Sequence, residues 1–136
     1  MMLDSSKNYF LADTTTFDLP GIESVISENL KKIHNLATEN GKWIMFFVFP
    51  YEYQLRQSSY KNRETAKPQI LINEVAKKEK LPVIDLLSDF HKALHSSGLG
   101  SKDMYLFGDP MHLSRLGHQI AAQCLYEEIM QSGLAD

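Results

Sequence analysis

One run constrains this chain more than any other. Trp43-Ile44-Met45-Phe46-Phe47-Val48-Phe49 is apolar at every position, and Pro50 ends it. Successive side chains of a strand point to opposite faces, so a strand of this composition must be covered on both. That arrangement belongs to a parallel sheet with helices on each side. A helix needs about 20 apolar residues to cross a bilayer, and this run is far shorter. Its destination is therefore a protein core, to which Phe46, Phe47 and Phe49 are assigned.

The flanking periodicities supply the helices. Pro20 suits a helix first turn. From there Ile22, Val25, Ile26, Leu30, Ile33 and Leu36 or Ala37 recur at helical spacing, and Asn40-Gly41 is a stop signal. The spacing predicts a helix over 20–39. Tyr51 to Lys67 is polar and reads as a loop with a short helical turn. Pro68 opens a second helix with Leu71, Ile72, Val75 and Ala76 inward. Leu81 to Leu86 reads as a short strand with Pro82 near its start. Leu87 to His95 reads as a third helix, and Ser97 to Asp103 as a loop. A last helix is expected from Ser114, an N-cap residue type, to about Gln131. Its stripe is Ile120, Ala121, Cys124, Leu125 and Ile129.

Residues 1–19 show no period and read as irregular, with Asn8 to Ala12 a candidate short strand. The order of elements predicts an α/β layered fold over 20–136, with parallel strands at 43–49 and 82–86. Few segments are available to pair with 43–49, so one edge of that strand is expected to be open. An open apolar edge invites another chain, either a second copy in a homodimer or a missing N-terminal chain.

Bulk properties narrow the function. The net charge of -3 over 136 residues supplies no field that would recruit nucleic acid. Cys124 is the only cysteine, which excludes an intrachain disulfide, and its apolar setting suits a buried inert thiol. Met1 to Asp18 has no apolar core of a signal peptide, so the cytoplasm is the default expectation. No cofactor motif is present.

Chemistry concentrates in Gly108-Asp109-Pro110-Met111-His112-Leu113. On a turn, an aspartate three residues before a histidine can accept a hydrogen bond from one imidazole nitrogen. That fixes the tautomer and frees the other nitrogen as a general base. On the letters D-x-x-H alone, an aspartate capping a backbone amide beside an incidental histidine is the stronger reading.

The longer stretch Gly108 to His118, followed by an amphipathic helix, resembles the final sequence block of the SGNH-type (GDSL-like) serine hydrolases. The strand ending at Pro50 and the short strand Val83 to Leu86 look like the family's preceding elements. The resemblance covers about residues 20–132 and rests mainly on 108–118. It implies a flavodoxin-like three-layer α/β/α sandwich, of which this chain would be the C-terminal part. It also implies that Asp109 and His112 are the acid and base of a catalytic triad, and that the substrate is a small-molecule or saccharide ester. The family's nucleophile sits in a G-D-S block near its N-terminus. No serine here has a G-D-S or G-x-S-x-G setting, so the nucleophile block is absent from this chain.

Other residues carry weaker expectations. Tyr51 and Gln54 follow the C-terminal end of a strand, where α/β sheets bind ligands, and are candidate substrate contacts beside an ordinary loop role. His118 is expected to pack or cap, and no standard zinc spacing joins it to Asp109 and His112. His91 and His95 are expected at the surface, and His34 at a helix boundary. No metal site is expected.

Overall fold

The computed structural model describes residues 21–56 and 63–132. The irregular segment 1–19, the candidate strand Asn8 to Ala12 and the helix-opening Pro20 lie outside the described residues. Within them the chain is mixed α/β, with four helices and one pair of parallel strands. Two compact units separate, 21–47 with 63–83 and 48–56 with 84–132.

In the first unit, α1 spans Ile22–Glu39 and α2 spans Lys67–Glu79. α1 stops where expected. The backbone N–H of Asn40 bonds back to Leu36 and Ala37, and Gly41 takes φ 64, a left-handed value that costs glycine little. Its covered face differs from the apolar stripe. Val25, Ile33 and Leu36 are exposed, whereas Ser27 is buried. The reason is a polar seam with α2. Ser27 Oγ donates to Glu79 Oε1 at 3.0 Å, Lys31 pairs with Glu79 at 3.0 Å, and Lys78 with Glu23 at 3.2 Å. Glu23, Ser27 and Lys31 recur every four residues and so share one face. α2 carries Pro68 in its first turn and buries Val75 and Ala76, with Leu71 and Ile72 half-buried.

The strands are shorter than the apolar run. β1 covers Phe46–Val48 and β2 covers Val83–Asp85. Phe46 N–H bonds to Pro82 O at 2.8 Å, and Leu86 N–H to Val48 O at 3.1 Å. Among the described residues β1 pairs with β2 alone. This corrects the core assignment: Phe49 and Trp43 are exposed, and Phe46 and Phe47 only half-buried. Trp43 and Phe49, at the two ends of the run, thus lack the cover that its composition calls for.

The second unit holds a connected core of Leu55, Leu86, Phe90, Leu94, Met104, Tyr105, Ala121 and Cys124. Leu86, Phe90 and Met104 are fully buried, and each such side chain is worth roughly 1.5–3 kcal/mol. α3, Leu87–Ser97, starts where Asp85 Oδ1 accepts the Leu87 N–H and ends at Gly98 with φ 70. Ser101–Met104 forms a 3-10 turn at the end of the expected loop, one residue beyond it. α4, Arg115–Gln131, is capped as expected by Ser114, whose Oγ accepts the Gly117 N–H at 3.1 Å. Ala121 and Cys124 face inward, and burial pushes the Cys124 thiol up from its ordinary value. Among the described residues, no helix is long and apolar enough to cross a membrane.

Candidate active site

The Asp109–His112 segment is the tip of a fold-back loop that starts at Met104 and returns at Ser114. Tyr105 and Leu113 form an antiparallel bridge. Ser114 N–H bonds to Met104 O, and Leu106 N–H to His112 O, both at 2.9 Å. The apex is a tight turn in which Asp109 N–H reaches Leu106 O at 3.0 Å and Gly108, third in the turn, has φ 75. A type II turn requires that left-handed value at its third position, where glycine is favoured. The glycine before Asp109 is thus explained by backbone geometry.

The turn aims the aspartate back at its own chain. Asp109 Oδ1 accepts the N–H groups of Met111 at 2.8 Å and His112 at 3.1 Å. Oδ2 lies 2.6 Å from His112 Nδ1. An ionised carboxylate can only accept, so the proton between them sits on Nδ1. The other ring nitrogen, Nε2, is then left with its lone pair available. The His112 side chain is 72% exposed, so that nitrogen can meet a reacting group. The Met111 amide, the His112 ring and the His112 amide, in that order, hold the Asp109 carboxyl below its ordinary value. The arrangement can do one thing well: present an imidazole that an adjacent carboxylate orients through Nδ1, with the ring open to solvent.

No described serine hydroxyl hydrogen-bonds His112. The two serines nearest to it in sequence are engaged elsewhere, Ser101 with Glu52 and Ser114 with Asp103 O. Ser5, Ser6, Ser58 and Ser59 lie outside the described residues. Leu106, Phe107 and Met111, all in the same loop, are exposed and give it an apolar surface.

Tyr51 and Gln54 take part in the fold. Gln54 is buried, and its Oε1 accepts the Tyr51 N–H at 2.7 Å. The Tyr51 ring, half-buried, stacks on Tyr53 with centroids 5.8 Å apart. His118 is exposed, against the expectation that it packs or caps; Ser114 already provides the cap. His95 is exposed as expected. His91 is half-buried, and desolvation lowers its pKa against a raising hydrogen bond to the Gln54 backbone. His34 is half-buried in α1, short of its end. Among the described residues, no group of three histidine, cysteine or acidic side chains could hold a metal ion.

The sequence reading missed a buried carboxylate beside this loop. Glu52, in the 3-10 turn Glu52–Leu55, receives Arg56 Nε at 2.9 Å, Arg56 Nη2 at 2.5 Å and Ser101 Oγ at 2.5 Å. Burial alone would raise its pKa. The Arg56 and Ser101 hydrogen bonds and the charges of Arg56 and Lys102 outweigh that, and the net shift is downward. The spacing of Glu52 and Arg56, four apart beside an apolar strand, was the available signal; nothing local pointed to Ser101. No family model, curated protein or solved structure matches this chain.

Proposed function

We propose that the loop is the acid–base half of an SGNH-type serine hydrolase site acting on carboxylic esters, either acyl esters or O-acetyl groups on a saccharide. The complete domain would be a flavodoxin-like three-layer α/β/α sandwich. The observation that carries the reading is the 2.6 Å contact of Asp109 Oδ2 with His112 Nδ1, made while Oδ1 is held by the loop's own backbone. The exposed Leu106, Phe107 and Met111 suit the acyl part of an ester.

In this mechanism His112 Nε2 takes the proton of a serine hydroxyl as its oxygen attacks the ester carbonyl. The imidazolium, stabilised by Asp109, returns the proton to the departing alcohol. Water or a sugar hydroxyl then gives its proton to His112 and attacks the acyl-enzyme, and the serine recovers its proton from the ring. The serine would be supplied by a segment upstream of this sequence or by another chain.

The test is fluorophosphonate labelling of the protein as its natural host makes it, enriched through this chain. One serine in a G-D-S setting should be labelled. Labelling should vanish in His112→Ala and fall on the order of 10^4-fold in Asp109→Asn. Absence of any His112-dependent labelling would refute the reading. A second reading is a non-catalytic α/β domain that binds a partner chain through an open edge. It is favoured by the single strand neighbour of β1 among the described residues.

A further inference from the structure

We infer that Glu52 is a positioning residue for His112, latching the Asp109–His112 turn to the core; this rests on the hydrolase reading above. The turn is closed by its own hydrogen bonds, which do not tie it to the core. Among the described residues, one backbone hydrogen bond reaches residues 108–112 from outside the fold-back loop: Glu52 N–H to Pro110 O at 2.9 Å. Pro110 lies between the two dyad members, so this bond acts on the middle of their turn.

The side chain of Glu52 fixes where that N–H stands. Its side chain is only 6% exposed. Arg56 Nε and Nη2 both donate to Oε2, and Nε also reaches Oε1 at 3.2 Å, so both carboxylate oxygens are engaged. Ser101 Oγ also donates to Oε1, at 2.5 Å. Ser101 opens the turn that leads through Met104 into the fold-back loop. Glu52 therefore holds both the root of the loop, through its side chain, and the tip, through its backbone. The Tyr105 hydroxyl, donating to Pro50 O, ties the same two segments. The buried Glu52 carboxylate is costly to desolvate, whereas Arg56 keeps much of its exposure. An apolar residue at 52 would keep the N–H but lose the anchors that aim it.

The test reads the histidine ring itself. In the full chain with 15N-labelled histidine, ring shifts report which nitrogen of neutral His112 carries the proton. Wild type should keep it on Nδ1, and Asp109→Asn should lose that preference. Glu52→Gln should move the tautomer ratio towards that of Asp109→Asn, with Ser101→Ala showing a smaller loss in the same direction. A change of stability alone would not do this. A folded Glu52→Gln chain with the wild-type ratio overturns the latch and leaves the dyad standing. Should Glu52→Gln fail to fold, Ser101→Ala decides by the same criterion. An Asp109→Asn chain with the wild-type ratio overturns the dyad, and with it the latch.

Discussion

A β-carbon on Gly117 would lie 2.1 Å from the carbonyl oxygen of Met104. No side chain fits there, because the first turn of α4 rests directly on the backbone where the fold-back loop begins. The glycine that follows the D-x-x-H motif is therefore a packing requirement: it lets the helix approach the segment from which the dyad loop springs. Gly117→Ala must push α4 off Met104, which is itself fully buried. Overpacking of this kind costs about 1–3 kcal/mol and more where the neighbour is rigid backbone. Urea unfolding should show a loss at or above the upper end of that range. A loss below about 0.5 kcal/mol, typical of an uncritical surface site, would contradict the close approach.

The Asp109 carboxyl should titrate below an ordinary aspartate in a carbon-13 NMR titration. Its folded pKa is depressed, so the stabilisation it gives the loop is complete above the unfolded value. It is lost as pH falls through the lower folded one. His112→Ala should raise the midpoint only part of the way, because the Met111 amide, the larger influence, remains. A return to the ordinary value would mean that the ring alone orients the carboxylate.

Glu52 gives the second unit an acid-sensitive contact of the same sign. Its pKa is lowered on balance, so protonation weakens the Arg56 and Ser101 contacts as pH falls below the ordinary glutamate value of 4.5. Wild type should lose stability from about pH 5 downward, and Glu52→Gln should be less stable at neutral pH with a flatter acid limb. Parallel acid limbs in denaturation curves would assign the loss to other carboxyls.

The exposed apolar residues of the first unit predict self-association. Val25, Ile33, Leu36 and Trp43 are exposed, and β1 has one strand neighbour among the described residues. Light scattering on the full chain should show a mass that rises with concentration. A constant monomer mass at high concentration would show that these surfaces are not sticky.

The helices were legible because their ends are written locally. Asn40-Gly41, Pro68, Gly98 and Ser114 stop or start elements through their own backbone and side-chain chemistry, without help from distant residues. The dyad was legible for the same reason, since Asp109 and His112 meet within one turn. Phe49 was not. Its hydrophobicity says that burial would be favourable, but burial needs a covering surface, and sequence pattern carries no record of whether one is present. Ser27 was hidden differently. It lies off the apolar stripe and looks like an exposed position, yet its partner Glu79 is on another helix. Glu52 and Ser101 are 49 residues apart, and no periodicity links them.

The closure of the dyad loop has a kinetic corollary. Its bonds join residues between Met104 and Gly117, so their separations along the chain are small. Contacts of low contact order form early, and hairpin-like closures take about 1–10 μs. On refolding of the whole chain, the short-range bonds of this turn would form before Glu52 finds Ser101, 49 residues away. The long-range latch would then close last, on a turn that its short-range bonds have already outlined.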